Sequence, residues 1–147
     1  MCLNISEKAL KKTKKLKTNK KPIIAYKILQ PNMMSQFKYF QWQFGENISN
    51  RESSLLTEQE IKEMHVNKGF HFFTDKPEVC HQLCLYPSPY PCSNLYLYPR
   101  PYQCSADNLV NKVFKVQIQP KDIIAIGTWN NINSLAATKC TIIEEIK

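Results

Sequence analysis

Apolar positions recur along the chain in several distinct rhythms, and each rhythm predicts an element. Ile23-Ile24-Ala25-Tyr26-Lys27-Ile28-Leu29, opened by Pro22 and closed by Pro31-Asn32, reads as a β-strand. Phe37 to Phe44 alternates, with Phe40, Trp42 and Phe44 on one face and Tyr39, Gln41 and Gln43 on the other, and Gly45 is expected to close that strand. Thr57-Glu58-Gln59-Glu60 has the form of a capping box, in which a threonine and the glutamate three residues on satisfy each other's backbone N–H. It predicts a short helix through Met64. Lys68-Gly69-Phe70-His71-Phe72-Phe73 reads as a buried strand. Thr74-Asp75-Lys76-Pro77-Glu78, a polar cap with proline in the first turn, starts a second helix. Val113 to Gln119 alternates again, with Phe114, Val116 and Ile118 inward. Pro120-Lys121 turns the chain into Asp122 to Gly127, short and apolar enough for a central strand, and Thr138 to Ile146 is the last strand. Two short helices among five or six strands predict an α+β fold with a small mixed, mainly antiparallel sheet.

One stretch follows neither rhythm. Leu85-Tyr86-Pro87-Ser88-Pro89-Tyr90-Pro91-Cys92 returns twelve residues later as Leu97-Tyr98-Pro99-Arg100-Pro101-Tyr102-Gln103-Cys104, identical at six of eight positions. Proline fixes φ and removes a donor, which excludes central sheet and helix here. Tyr-Pro steps favour extended or polyproline-like backbone. Residues 85–104 are therefore expected to project as a stiff excursion. Its Tyr86, Tyr90, Tyr98, Arg100 and Tyr102 would form a protein-contact surface, since tyrosine buries large area at small entropy loss.

Charge divides the chain further. Of the formal net charge of +8, residues 1–21 carry +7, as eight lysines against Glu7, whereas the remainder is close to neutral. Residues 1–21 thus read as a basic arm, disordered in isolation, and 22–147 as a single domain. Ser6 is placed to cap a short helix through Ala9, Leu10 and Leu16, but these do not complete an apolar stripe, and like charges three or four residues apart weaken an isolated helix. Lys8, Lys11, Lys12, Lys14, Lys15, Lys17, Lys20 and Lys21 are the candidate nucleic-acid or polyanion contacts, since phosphate binding needs only cationic density and reach. A nuclear-import signal has the same composition, and a solubilising tail is the third reading. No apolar run approaches the roughly 18–20 residues of a membrane span, and no apolar core follows Lys21 as a secretory signal requires. Neither membrane association nor secretion is therefore expected. The six cysteines are then expected as thiols.

Candidate chemistry in the remainder is sparse. His71, Cys80, His81, Cys84, Cys92 and Cys104 are types that suit zinc, but no Cys-x-x-Cys pair occurs and the repeat accounts for two of them, so neither metal nor cofactor is expected. His71 between Phe70 and Phe72 reads as a core histidine, and Glu144-Glu145 places its carboxylates on opposite strand faces.

Three stretches resemble an uncharacterised small domain of phages, large DNA viruses and bacteria, of unknown function. They are Tyr39-Phe40-Gln41-Trp42-Gln43-Phe44-Gly45, then Lys68 to Phe73 with Pro77-Glu78-Val79, then Asn133 to Ile142. The resemblance implies a viral or phage setting, hence a virion or host intracellular location (cytoplasm or nucleus), and a boundary near Pro22; the doubled Tyr-Pro segment and the basic arm depart from it. Tyr26 on an early strand and Gly69 to Phe73 before a helix are also similar to small ADP-ribosyltransferase domains, for which Gln117 and Glu144 are the candidates for a late-strand catalytic residue. The leading expectation is a non-enzymatic structural or interaction protein, such as a minor particle component. It would dock on protein by its aromatic excursion and on polyanion or a neighbouring subunit by its arm. The alternative is an enzyme of the ADP-ribosyltransferase type.

Overall fold

In the computed structural model, residues 2–35, 40–49, 52–75, 77, 78, 80 and 111–147 are described, and strands organise the chain. The strands are β1 (Leu3–Asn4), β2 (Ile23–Leu29), β3 (Gly45–Ile48), β4 (His65–Val66), β5 (Phe70–Phe73), β6 (Lys112–Ile118), β7 (Ile123–Trp129), β8 (Ile132–Ala137) and β9 (Lys139–Ile146). Among the described residues α1 (Glu7–Lys17), α2 (Glu58–Glu63) and a 3-10 turn at Pro120–Asp122 accompany them, and Pro77, Glu78 and Cys80 are also helical, where the helix begun by Thr74-Asp75 was expected. The nine strands form one sheet in the order β3-β9-β6-β2-β5-β8-β7-β1-β4, and each described pairing is antiparallel. The fold is α+β and dominated by its sheet.

Strands with a strong sequence signal form where that signal places them. β2 has the expected limits and pairs along its whole length with β6, from Ile23↔Ile118 to Leu29↔Lys112. Alternation then sorts the side chains between the two faces. Ala25, Leu29, Phe72, Phe114, Val116 and Leu135 join one buried cluster, and Ile28, Phe73, Cys80 and Val113 join another. On the first face Trp42 packs against Phe70 at 4.4 Å and Phe72 at 6.1 Å between ring centroids. Lys27 reaches the same rings, its Nζ 5.3 Å from the Trp42 centroid, and donates to the His71 carbonyl at 2.8 Å. The capping box forms as read: Thr57 Oγ1 accepts from Glu60 N–H, Glu60 Oε1 accepts from Thr57 N–H, and left-handed Met64 ends α2.

Three expectations need correction. Residues 40–44 do not continue a strand. Trp42 N–H donates to the Met33 carbonyl and its indole N–H to Ser35 Oγ at 2.6 Å, so the segment is held as a folded loop over the aromatic cluster. Gly45, at φ 85°, opens β3 instead of closing a strand, a backbone turn that glycine makes at no steric cost. The sheet also has more strands than the five or six expected. β7 returns into β8 through Asn130 and Asn131, both at positive φ (46° and 64°), as a two-residue hairpin demands.

The third correction concerns the N-terminus. Residues 3–17 are not a detached tail. β1 lies between β7 and β4, pairing Asn4↔Thr128 on one side and Leu3↔Val66 on the other. Leu3 is fully buried, and a Cβ on Gly127 would come within 2.1 Å of the Asn4 carbonyl oxygen, so β1 approaches β7 as closely as glycine permits. Among the described residues no helix is long and apolar enough to cross a membrane. The Tyr-Pro segment, residues 85–104, lies outside the described residues.

Candidate polyanion-binding surface

α1 begins at Ser6, whose hydroxyl accepts from Ala9 N–H at 3.1 Å, with Glu7 in its first turn and Lys14, Lys15 and Lys17 in its last. Both charge placements suit the helix dipole. At about 3.6 residues per turn, Ala9, Leu10, Thr13, Leu16 and Lys17 share one side of the helix, and Lys8, Lys11, Lys12, Lys14 and Lys15 share the other. The first side packs on the sheet. Leu16 joins the aromatic cluster, and Leu10 joins the cluster of Leu3, Ile5, Val66 and Ala125. Thr13 is the buried centre of the contact: its hydroxyl donates to the Ala9 carbonyl at 2.8 Å and accepts from Ile126 N–H of β7 at 3.0 Å. Threonine thereby completes the stripe that the apolar residues alone leave open.

The second side is cationic and faces solvent. Lys8, Lys11, Lys12, Lys14 and Lys15 are exposed, as are Lys20 and Lys21 in the link to β2. Among the described residues the ion pairs are Lys68–Glu60, Lys112–Glu145, Lys115–Glu144 and Lys139–Glu46, and none involves these seven lysines. Lys17 differs from the rest. It is half-buried and donates to the Ser54 carbonyl at 2.8 Å. Burial, and then the neighbouring charge of Lys68, lowers its pKa from the ordinary lysine value, with Asp122 partly opposing. It ties α1 to the loop before α2 and is not part of the open cationic face.

Among the described residues, the others singled out in the sequence do not gather around a catalytic group. His71 is 3% exposed, with Nε2 3.1 Å from the Lys68 carbonyl oxygen. Tyr26 and Glu144 flank Lys115 on one row of the sheet, and Glu144 pairs with Lys115 at 3.8 Å. Gln117 stands one row-pair away, opposite Ile24 and Thr141. Cys140 is buried, and that burial pushes its thiol up to about 12 against the opposing charge of Lys27. Among the described residues no three metal-capable side chains come together. His81, Cys84, Cys92 and Cys104, like Tyr86, Tyr90, Tyr98, Arg100 and Tyr102, lie outside the described residues.

Two features of the site escape a reading of the sequence. One is Thr13, detectable only as a position in register with Leu10 and Leu16. The other is the strapping of Thr74-Asp75 to β8, where Thr74 N–H donates to the Asn133 carbonyl and Asp75 accepts from Asn133 N–H and Nδ2 at 3.1 and 2.9 Å. No family model, curated protein or solved structure matches the chain. The two resemblances therefore rest on their short motifs alone.

Proposed function

We propose that this protein is a binding protein for polyanions, nucleic acid foremost, and that the outward face of α1 is its contact surface. The observation that carries the reading is the set of seven exposed lysines, without an ion pair among the described residues, on and just after a helix fixed to the sheet by packing. Lys8/Lys11, Lys8/Lys12, Lys11/Lys14, Lys11/Lys15, Lys12/Lys15 and Lys14/Lys17 are like charges three or four residues apart, and each such pair costs a few tenths of a kcal/mol. Phosphates laid along the face would relieve that repulsion and release counterions. Lysines contact phosphate as point charges and read no base edge, so binding is independent of sequence.

Fluorescence anisotropy with duplexes of unrelated sequence at several salt concentrations tests this. With about −0.9 in slope per neutralised phosphate, the five α1 lysines give a log–log salt slope on the order of −4 to −5. Replacing Lys8, Lys11, Lys12 and Lys15 by Glu should abolish binding while the melting curve persists. A flat salt response, strong preference for one duplex, or unimpaired binding by that variant would sink the reading. A protein-docking role for the Tyr-Pro segment in a particle belongs to the same proposal and is supported by its composition alone.

A further inference from the structure

A groove of about 460 Å³ opens beside the N-terminal half of α1, within the range of small-molecule sites. One part of the lining is Lys8 and Lys12, one turn apart. A second part of the lining is Thr74 and Asp75, with Gly127 and Thr128 of β7 beside Asn133 and Ser134 of β8. We infer that this groove binds a phosphorylated sugar, with the phosphate against Lys8 and Lys12 and a sugar hydroxyl donating to Asp75.

The chemistry of the two parts selects that class. Lys8 and Lys12 have no ion pair among the described residues, and as i, i+4 neighbours they offer two ammonium groups to one anion. Asp75 is held in place by its two bonds from Asn133, one to each carboxylate oxygen. An ionised carboxylate has about four lone-pair sites, so each oxygen keeps capacity to accept from a ligand. A ligand amine would suit Asp75 equally well by hydrogen bonding, but the lysines of α1 set a positive potential over the groove and disfavour a cation there. A hydroxyl donor carries no such penalty, and the Thr74 and Thr128 hydroxyls, which donate and accept, suit a polyol further. The site is also built in advance: Thr74 and Asp75 are strapped to β8 by three hydrogen bonds, and α1 is fixed by Thr13.

The chemistry is shared by a free sugar phosphate and by the 5′-phosphorylated end of a strand lying along α1. Amide-resolved NMR titrations of the full chain with ribose 5-phosphate, ribose and inorganic phosphate test the groove itself. Ribose 5-phosphate should bind at least tenfold more tightly than either fragment and move the amide signals of Gly127, Thr128 and Asn133. Asp75→Asn should bring its affinity down to that of inorganic phosphate, and Lys8→Ala with Lys12→Ala should remove both. Comparing 5′-phosphorylated with 5′-hydroxyl oligonucleotides then separates the sources. Tighter binding of the phosphorylated end assigns the groove to a strand terminus, and equal binding alongside a ribose 5-phosphate response assigns it to a free ligand. The inference is overturned if wild-type protein binds ribose 5-phosphate no better than inorganic phosphate, if Asp75→Asn leaves a folded protein's affinity unchanged, or if shifts follow only the outer face of α1. None of these outcomes decides whether duplexes bind α1, so the two readings fail separately.

Discussion

Thr13 joins helix to sheet through a single hydroxyl, with one bond donated to Ala9 and one accepted from Ile126. At 3% exposure no water replaces either partner. Thr13→Val keeps the shape and strands the Ile126 N–H, which should cost about 1–3 kcal/mol in chemical denaturation, whereas Thr13→Ser should recover most of the loss. Equal stability of wild type and Thr13→Val would show that the N–H finds another acceptor. Cys140 makes a second test at this scale. With its thiol pushed up to about 12 by burial, it stays protonated at ordinary pH. Iodoacetamide should modify half-exposed Cys2 in the native protein and reach Cys140 only on unfolding; comparable native rates would refute the enclosure. Neither feature is legible in the sequence. Thr13 counts there as a polar interruption of a lysine run, because its burial depends on a β7 amide more than a hundred residues away.

Among the elements, α2 stands almost wholly on its caps: it has six residues, and none is buried. Glu60 is the critical side chain. Burial by itself would raise its pKa, but the Thr57 N–H, Lys68 and the Thr57 hydroxyl outweigh that and lower it below the ordinary carboxylate value. A carboxyl whose folded pKa is depressed stabilises fully above its unfolded pKa, about 4.3, and loses that contribution as pH falls through the lower folded value. Hydrogen-exchange protection at Ile61 to Met64 should therefore collapse below about pH 4 while β2 and β6 remain protected. Simultaneous loss would mean that α2 is held by the sheet and not by its box. This element was readable because its signal is local, as were β2, a β-rich apolar run bounded by Pro22 and Pro31, and β6, whose alternation is long. β8 was not. Its Ser134, Leu135, Ala136 and Ala137 are all buried, since both faces of the sheet are covered there, and a strand buried on both faces loses its period of two. β1 and β4, at two residues each, are too short to carry any period.

For the whole molecule, the decisive question is whether the basic segment is separable from the rest. Its charge was plain in the sequence; its attachment was not, because Leu3, Ile5, Leu10 and Leu16 are too widely spaced among polar residues to announce a packed face. In the structure β1 bridges β7 and β4, so removing residues 1–18 takes away the buried Leu3 and Ile5, the packing of Leu10 and Leu16, and the strand that ties β4 to the sheet. Each fully buried aliphatic side chain is worth about 1.5–3 kcal/mol, against a total stability of about 5–15 kcal/mol for a native protein. The truncated chain should melt well below the full one or fail to fold. Charge acts in the opposite direction. Replacing Lys8, Lys11, Lys12 and Lys15 by Gln leaves the packed side of α1 untouched and removes repulsion, so at low salt the melting midpoint should rise by about one to a few degrees. That gain should vanish near 1 M salt, where the screening length is about 3 Å. If neutralisation instead lowered the midpoint, the lysines would already be compensated within the fold, and the case for an open cationic face would fall with them.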